Sequence, residues 1–338
     1  MANSPGPLRI LLVKTSSLGD VVHNLPVASA LHKLFPEAQI DWVVEEAYSP
    51  ILHLHPAVHR IIPVALRRWR RQPLAGATWR EIAAFRRDLR RDAYDLVLDS
   101  QGLIKSGLIT LQTLLTAKGE RVGYAAEAAR EPLAARCYQR GFAIPKNLHA
   151  VVRNAWLAAA ACGEDAAATI DYGISASPLT ADWLPPAPYA LLLTASSRAD
   201  KSWPEADWIA LAAKLTAMGL SLVLPAGSED ERQHAAKLAT AMGEGARLAP
   251  PLSLTEVAGL CAGARLVVGV DTGITHLAAA LGRPCLCLFS GTDPLLTGVF
   301  AGGEQSLQLA RNLGSRGLPP TAAEACSLAA ELLAESSS

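Results

Sequence analysis

Short apolar runs alternate with amphipathic stretches along this chain of 338 residues. Seven runs are rich in leucine, isoleucine and valine, and their length suits strands that are buried on both faces. They cover residues 8–13, 40–45, 95–99, 189–193, 220–224, 266–270 and 285–289. Segments with helical periodicity separate them, which is typical of parallel sheets with helices on both faces. The predicted fold class is therefore α/β.

The helices are predicted from apolar spacing and from capping residues. One helix begins near residue 21, and another precedes the run at 95–99 with most of its arginines on the polar face. Ser202 with Glu205 and Ser253 with Glu256 have the spacing of capping boxes, which start helices. The residues predicted on apolar faces are Ala28, Leu31, Leu34 and Phe35 in the first helix and Ile82, Phe85 and Leu89 in the second.

A proline-rich stretch at residues 177–188 interrupts the alternation, which starts again after it. It is typical of a linker, and the chain is long enough for two domains. We predict two doubly wound, Rossmann-like domains, 1–176 and 189–320, followed by a C-terminal helical segment, 321–338, whose docking the sequence leaves open. Ligands of such sheets bind at the carboxyl ends of the strands, and we expect the deepest cleft between the domains.

Charge and cysteine content narrow the classes of function. Lysine plus arginine and aspartate plus glutamate number 31 each, so the bulk charge does not favour a nucleic-acid-binding protein. The six cysteines include no C-x-x-C pair and no zinc spacing, which is typical of a reducing compartment. The N-terminus lacks the segments of a signal peptide, and no apolar run approaches the roughly 20 residues that span a bilayer. We predict a cytoplasmic protein.

Two common nucleotide-binding motifs are absent from the sequence. No G-x-G-x-x-G follows the first apolar run and no G-x-x-x-x-G-K-[ST] occurs, which argues against a dinucleotide dehydrogenase and a P-loop NTPase. His53, His55 and His59 match no standard metal-ligand spacing, and no carboxylate lies among them. We expect neither a metal ion nor a cofactor.

A strand-to-helix turn carries the strongest ligand-binding signal. Asp271, Thr272 and Gly273 follow the apolar run 266–270 and precede a helical segment with His276 about one turn in. The first N–H groups of a helix lack partners and the helix dipole favours anions there, so the turn suits a phosphate. The alternative is an ordinary capped turn with Asp271 as the N-cap.

A second turn of this kind follows the run 189–193. Ser196 and Ser197 offer hydroxyls and Lys201 a cation, which suits a diphosphate, although a lysine near a helix start can equally be a solvated charge. Because both turns belong to one predicted sheet, we expect them to face one ligand. Glu231, beyond another strand end, is either an acceptor for ribose hydroxyls or an exposed helical glutamate.

The first apolar run leads into a loop with serines and glycine. Ser16, Ser17, Gly19 and Asp20 lie at its carboxyl end, where Gly19 permits close backbone approach and Asp20 is placed to take a proton from an acceptor hydroxyl. The alternative is that Asp20 only caps the following helix. We favour a general base, because the same loop supplies hydroxyls and a glycine.

Arginines are concentrated in the first predicted domain. Residues 67–71 read Arg-Arg-Trp-Arg-Arg, and four more arginines follow on the next helix. In a chain without formal net charge this indicates an anionic partner, such as a phosphorylated lipid, a sugar acid or a membrane surface. A solvated helix face is the alternative, but the cluster contains a tryptophan and is predicted to lie in a loop. The candidates for binding this partner are Arg67, Arg68 and Arg70. Arg130 and His149 are further polar candidates in the same domain, with ordinary surface positions as the alternative.

Seven short motifs run in order along nearly the whole chain from Leu8. They are KTSSLGD at 14–20, DWVVEE at 41–46, RRWR at 67–70, DSQGLIKS at 99–106, REPL at 130–133, DKSWP at 200–204 and VDTGITHL at 270–277. Together they resemble glycosyltransferase family 9, the lipopolysaccharide heptosyltransferases. The form of the first and third motifs favours the type I members of the family over type II.

The resemblance implies a GT-B fold and the metal-independent transfer of L-glycero-D-manno-heptose from ADP-heptose to the first Kdo of Kdo2-lipid A, with inversion of the anomeric centre. It implies that Asp20 is the general base on the Kdo hydroxyl. We also expect a monomer, peripheral to the cytoplasmic face of the inner membrane, with no nucleic-acid partner. The implied donor-binding residues are Ser196, Ser197, Lys201, Glu231, Asp271, Thr272, Gly273 and His276, and the implied acceptor-binding residues are Ser17, Gly19, Arg67, Arg68, Arg70 and Arg130.

The chain departs from the family pattern at two places. Ser196 and Ser197 stand where threonines are expected, which keeps the hydroxyls, and Leu252 stands where a methionine is expected beside the adenine. The alternative enzymes are a heptosyltransferase II or another nucleotide-sugar enzyme of this architecture, such as an epimerase. A non-catalytic nucleotide-sugar-binding or lipid-binding protein is a further alternative, against which the combination of Asp20 with Lys201 argues.

Overall fold

The structure, a computed structural model, describes residues 6–165, 170–186, 188–196, 198–300 and 309–336. The chain divides into two compact units, Met1–Gly173 and Ile174–Ser338. Within the described residues each unit contains a six-stranded sheet, and all strand pairs in both sheets are parallel. The predicted α/β class, with two doubly wound sheets, is therefore confirmed.

The sheet of unit 1 is built around its first strand, whose residues 10–13 are fully buried apolar side chains. The strands are β1 Arg9–Val13, β2 Gln39–Glu45, β3 Val58–Val64, β4 Ala93–Asp99, β5 Leu114–Tyr124 and β6 Arg140–Phe142. Their order is β3-β2-β1-β4-β5-β6, so the strand order reverses between β1 and β4. Ligands of open α/β sheets bind at such a reversal.

The helices of unit 1 follow the predicted alternation, but the first of them differs from the prediction. They are α1 Leu18–Val22, α2 Leu25–Leu34, α3 Ser49–Leu52, α4 Leu66–Arg71, α5 Gly76–Leu89, α6 Ile104–Thr110 and α7 Ala150–Cys162. The single helix predicted from residue 21 is wrong: it consists of α1 and α2, and α2 starts anew with Pro26 in its first turn. Leu34, predicted on the apolar face, is 41% exposed, whereas Phe85 and Leu89 are buried in α5 as predicted.

The sheet of unit 2 contains all four of its predicted strands and two more. The strands are β7 Tyr189–Leu193, β8 Ser221–Leu224, β9 Ala246–Leu248, β10 Leu266–Val270, β11 Cys285–Phe289 and β12 Ala310–Gly314. Their order is β12-β11-β10-β7-β8-β9, so the reversal lies between β7 and β10. The two additional strands, β9 and β12, form the edges of the sheet.

The helices of unit 2 are α8 Glu205–Ala217, α9 Glu229–Met242, α10 Leu254–Gly263, α11 Gly273–Ala280, α12 Pro294–Thr297 and α13 Ala322–Glu335. The predicted capping box at Ser253 starts α10. The one predicted at Ser202 is wrong, because Pro204 is the N-cap of α8 and disfavours a helical conformation at the residue before it. None of the helices in the described ranges combines the length and the apolar character that crossing a bilayer requires.

Both segments that flank the second sheet in sequence pack onto unit 2. Helix α13 contributes Ala325, Ala329, Leu332 and Leu333 to its hydrophobic core, which answers the question that the sequence left open. The proline-rich stretch is also attached: the N–H of Leu179 donates to the carbonyl of residue 259 at 3.0 Å, and apolar side chains at 179, 183 and 184 cover the opposite side of the sheet.

Candidate functional site

In unit 2, Asp271 is the centre of a polar cluster directly after β10. Its Oδ2 accepts hydrogen bonds from Lys201 Nζ at 2.7 Å and from Thr292 Oγ1 at 2.6 Å. Its Oδ1 lies 3.1 Å from Nε2 of His276. Lys201 follows β7 and Thr292 follows β11, so three neighbouring strands deliver this cluster. It lies at the reversal of strand order, where ligands of such sheets bind.

The helix after β10 begins at Gly273 with Thr272 as its N-cap. Thr272 Oγ1 accepts a hydrogen bond from the N–H of Ile274 at 3.3 Å, which satisfies one of the partnerless N–H groups. The alternative that Asp271 is the N-cap is therefore wrong. Because the threonine caps the helix, the carboxylate of Asp271 is left to pair with Lys201.

Burial and hydrogen bonding have opposite effects on Asp271, whose side chain is only 8% exposed. Burial alone would raise the pKa of the carboxyl, but the hydrogen bonds from His276, Lys201 and Thr292 hold this pKa well below its usual range. Asp271 is therefore ionised at neutral pH. Lys201 and Asp271 form an ion pair of no net charge.

The remaining donor-site candidates of unit 2 lie after β7 and β8. Ser196 follows β7, and its Oγ accepts a hydrogen bond from the N–H of Arg198 at 3.3 Å. Ser197 lies outside the described residues. Glu231, after β8, closes the capping box of α9: its Oε2 accepts two backbone N–H groups of the preceding turn at 2.9 and 3.0 Å. This local role was not predicted from the sequence.

In unit 1, Asp20 lies in the first turn of α1, after β1. Its Oδ2 accepts hydrogen bonds from the N–H of Ser17 at 2.8 Å and from Ser17 Oγ at 3.2 Å. Asp20 therefore makes the helix-capping contact that the sequence analysis gave as the alternative to a general base. Both hydrogen bonds from Ser17 are accepted by the same carboxylate oxygen of Asp20. Gly19 lies beside Asp20 in the same turn.

Polar side chains from the turn after β4 hold the loop after β1. Gln101 Oε1 accepts hydrogen bonds from the N–H groups of Thr15 at 3.0 Å and Ser16 at 3.2 Å. Lys105 Nζ donates to Ser16 Oγ at 2.8 Å. Lys105 was not predicted as a site residue. The signal available in the sequence was its place in the motif at 99–106, which follows β4, the strand next to β1.

The arginine-rich segment forms helix α4 rather than the predicted loop, because leucine and arginine favour helix and no glycine or proline interrupts them. Near this helix, burial lowers the pKa of Lys105; the charges of Arg67 and Arg70 add to this shift, and those of Glu45 and Asp20 oppose it. All four charges thus lie within electrostatic range of Lys105. The structure brings Asp20 and these cations to one edge of the sheet.

Arg68 and Arg130 differ in their surroundings. Arg68 pairs with Glu46 at 2.9 Å and with Glu81 at 2.7 Å, so its guanidinium is engaged within the unit. Arg130 is exposed after β5. Burial lowers the pKa of Lys14, which lies at the end of β1, and the charge of Arg130 adds to that shift. Arg130 is therefore close to the loop after β1.

The three histidines at 53, 55 and 59 do not converge on one point. His55 Nε2 lies 3.0 Å from Ser29 Oγ, and His59 Nδ1 lies 3.1 Å from Asp41 Oδ1. In the part of the chain that the structure describes, no group of three or more histidine, cysteine, aspartate or glutamate side chains is placed to hold a metal ion.

Comparisons with known proteins connect this geometry to a family. The family model of glycosyltransferase family 9 (heptosyltransferase) matches residues 82–315. The chain is 44% identical to lipopolysaccharide heptosyltransferase 1 of Pseudomonas aeruginosa, over 87% of this chain and 81% of that protein. It is 41% identical to lipopolysaccharide heptosyltransferase 1 of Escherichia coli K12, over 87% and 91% respectively.

Solved structures agree with this match. The E. coli heptosyltransferase WaaC with ADP superposes with a TM-score of 0.85 at 36% identity, covering 96% of this chain and all of the other. E. coli heptosyltransferase II superposes with a TM-score of 0.76 at 19% identity, which shows the fold alone. The predicted GT-B fold is confirmed. On the family model and on relatives of more than 40% identity, the chain belongs to glycosyltransferase family 9, the heptosyltransferases.

Proposed function

We propose that the chain transfers L-glycero-D-manno-heptose from ADP-heptose to the first Kdo of Kdo2-lipid A, with inversion of the anomeric centre. The observation that carries this proposal is the Lys201–Asp271 cluster at the strand reversal of unit 2 in a family 9 chain. The assignment to type 1 is supported by 41–44% identity to four type 1 enzymes. At 24% identity the comparison does not separate the types, because the type 1 enzyme of Campylobacter coli and the type 2 enzyme of Haemophilus ducreyi share that value.

The proposed donor site uses the ends of β7 and β10. Lys201 and the N-terminal end of α11 bind the diphosphate, which carries the charge that develops when the glycosidic bond breaks. Asp271, held ionised by its neighbours, accepts hydrogen bonds from donor hydroxyls. We assign Ser196 and Ser197 to the diphosphate and Glu231 to the ribose. The relative WaaC was solved with ADP and with ADP-2-deoxy-2-fluoro heptose, which supports this class of donor.

In the proposed reaction, the acceptor hydroxyl oxygen forms a bond to the anomeric carbon while the bond from that carbon to the diphosphate oxygen breaks. The electron pair of the broken bond stays on ADP, where Lys201 stabilises it. The proton of the hydroxyl passes to Asp20, the general base. Attack from the face opposite the leaving group inverts the centre, and this step requires no metal ion.

The proposed acceptor site is the cationic edge of unit 1. Arg67, Arg70 and Arg130 bind the carboxylates of the Kdo sugars, and Lys105 joins them through its contact with the loop after β1. Arg68 is a positioning residue, since its ion pairs with Glu46 and Glu81 fix α4. We further propose that the protein acts in the cytoplasm as a monomer, peripheral to the membrane that contains the acceptor.

ADP release from ADP-heptose, measured with and without Kdo2-lipid A in the presence of EDTA, tests the reaction. We expect release that depends on the acceptor and is insensitive to EDTA. Release without acceptor would indicate a hydrolase or another nucleotide-sugar enzyme. Donor binding without any release would favour a non-catalytic binding protein.

The variant Asp20→Asn tests the proposed base. Asparagine still accepts the hydrogen bonds from Ser17, so we expect kcat to fall about 10²–10⁴-fold with little change in thermal stability. Glu324→Gln is the matched control, because Glu324 accepts the same pair of bonds from Thr321 at the start of α13. If Asp20 only caps α1, both variants will keep their stability and neither will lose turnover.

A further inference from the structure

The helical layer on one side of unit 1 exposes large apolar side chains. Helices α5 and α6 pack into one core cluster through Phe85, Leu89 and Ile109, so they lie on the same side of the sheet. Leu74, in the turn between α4 and α5, is 93% exposed, and Trp79, in the first turn of α5, is 61% exposed. Exposed apolar side chains of this size in one region are typical of an interaction surface.

Helix α6 adds an apolar stripe to the same layer. Ile104, Leu108 and Leu111 follow the spacing i, i+4, i+7, which places them on one side of the helix. They are 40%, 53% and 50% exposed, respectively. We call these three residues, together with Leu74, Trp79 and the arginines of residues 66–91, the docking face.

The charge of the docking face is strongly positive. Residues 66–91 contain nine arginines and two acidic residues, a formal charge of +7 in a chain whose formal net charge is zero. All nine arginines are exposed, and one of them, Arg68, is already paired with Glu46 and Glu81. The rest of the chain is correspondingly acidic, so the docking face is attracted to anionic surfaces that the remainder of the protein repels.

We propose that the docking face binds the surface of a bilayer that carries anionic lipid headgroups. Tryptophan and leucine enter the boundary between headgroups and acyl chains, while arginines pair with lipid phosphates. A second copy of this chain does not fit, because two faces of charge +7 would repel each other. A nucleic acid fits the arginines but leaves the leucines without an apolar environment.

This proposal deepens the proposed function, on which it rests for the nature of the acceptor. Helix α4 has six residues and is about 9 Å long. Arg67, at its start, lies within electrostatic range of Lys105, as Asp20 does, and Leu74 lies just beyond its other end. Docking through Leu74 would therefore hold the proposed base close to the bilayer surface, where a lipid-linked sugar presents its hydroxyl.

Flotation with phosphatidylcholine vesicles, with and without phosphatidylglycerol and without any Kdo2-lipid A, tests the docking face. We expect binding that requires phosphatidylglycerol and weakens with salt. The double variant Arg71→Gln/Arg80→Gln should lower partitioning about 25-fold, at about fivefold per arginine. Leu74→Ser/Trp79→Ser should lower it about tenfold.

Two double variants in unit 2 are the matched controls. Lys214→Gln/Lys237→Gln removes two exposed charges, and Leu295→Ser/Leu318→Ser removes two apolar side chains that are 79% and 71% exposed. We expect both to float like the parent protein. Equal losses in the controls, or vesicle binding that is indifferent to phosphatidylglycerol, would overturn the proposal.

Turnover of a deacylated, water-soluble Kdo acceptor separates this proposal from the proposed function. The docking variants should retain that turnover while they lose vesicle binding. If the parent protein turns over the soluble acceptor but does not bind vesicles, the docking proposal is wrong and the proposed function stands. If it binds vesicles but does not turn over the acceptor, the docking proposal is supported and the proposed function is wrong. Sedimentation that shows a dimer dissociated by Leu74→Ser/Trp79→Ser would identify the face as a contact between copies and also overturn the proposal.

Discussion

Replacing Asp271 by asparagine tests the polar cluster of unit 2 through protein stability. The change removes the negative charge that pairs with Lys201 but keeps an oxygen that accepts the hydrogen bond from Thr292. The carboxylate is 8% exposed and the ammonium group 18% exposed, so most of the pair is shielded from water. Breaking a fully buried pair costs about 3–5 kcal/mol. Because Lys201 keeps some solvent and Thr292 keeps its acceptor, we expect a loss of about 2 kcal/mol at pH 7.

Because the pKa of Asp271 is lowered, the difference in unfolding free energy between the parent protein and Asp271→Asn should depend on pH. The folded protein holds the carboxyl ionised at a pH where the unfolded chain, with an ordinary pKa of about 3.9, already binds a proton. The stabilisation is therefore complete above that pKa and is lost as the pH falls towards the folded value. Between pH 5 and pH 3 the difference between parent and variant should shrink by about 1 kcal/mol.

Urea-dependent hydrogen exchange of peptides from β10 and α11 measures this stability in unit 2 alone. Asp200→Asn is the control, because its ion pair with Arg198 is 49–54% exposed and should contribute almost nothing. Equal stability of parent and Asp271→Asn at pH 7 would refute the reasoning. A difference that remains constant down to pH 3 would also refute it, since the lowered pKa would then not be the cause.

Three further predictions concern unit 2. Lys201→Met should raise KM for ADP-heptose by about 10–100-fold in steady-state kinetics, because a charge-assisted contact with the diphosphate is lost; an unchanged KM would contradict this role. Thr292→Val should cost about 1–2 kcal/mol in urea unfolding by removing the 2.6 Å bond to Asp271, and Thr292→Ser should restore it. Gly269→Ala should cost about 1–3 kcal/mol in urea unfolding, because the Cβ of the new alanine would lie 2.4 Å from the hydroxyl oxygen of residue 275. Gly76→Ala is the control and should not destabilise, because its Cβ would meet nothing within 4 Å.

Strands whose residues are almost all buried could be predicted from the sequence. In unit 1, β3, β5 and β6 were not predicted; β5 lies between β4 and β6, but most of its residues are partly exposed. Strands such as β7 and β10 read as continuous apolar runs, and their bounds were predicted without error. Edge strands lack this signal, since one side has no neighbouring strand and polar residues are tolerated there. The short strand β9 reads Ala-Arg-Leu, and β12 contains an arginine and an asparagine, so neither was predicted.

The polar clusters were predictable to the extent that their residues lie after central strands. Asp271 and Lys201 were proposed as site residues on this basis, and the structure places Lys201 Nζ 2.7 Å from Asp271 Oδ2; their role in binding stays a prediction. Thr292 was missed, because a threonine after β11 has no distinctive pattern and its contact with Asp271 depends on the packing of adjacent strands. Arg68 was grouped with its neighbours, since the sequence does not show that Glu81, 13 residues away, engages it.

The ion pair between Lys201 and Asp271 has a consequence for ligand selectivity. A simple anion such as inorganic phosphate can bind Lys201 only by replacing Asp271 as its negative partner. Asp271 then loses its cation, so the binding of such an anion is only weakly favourable. A ligand that brings an anion and hydroxyl donors side by side satisfies both members of the pair at once. Competitive inhibitors of this enzyme should therefore combine a negative group with neighbouring hydroxyls, and compounds that rely on negative charge alone should bind weakly.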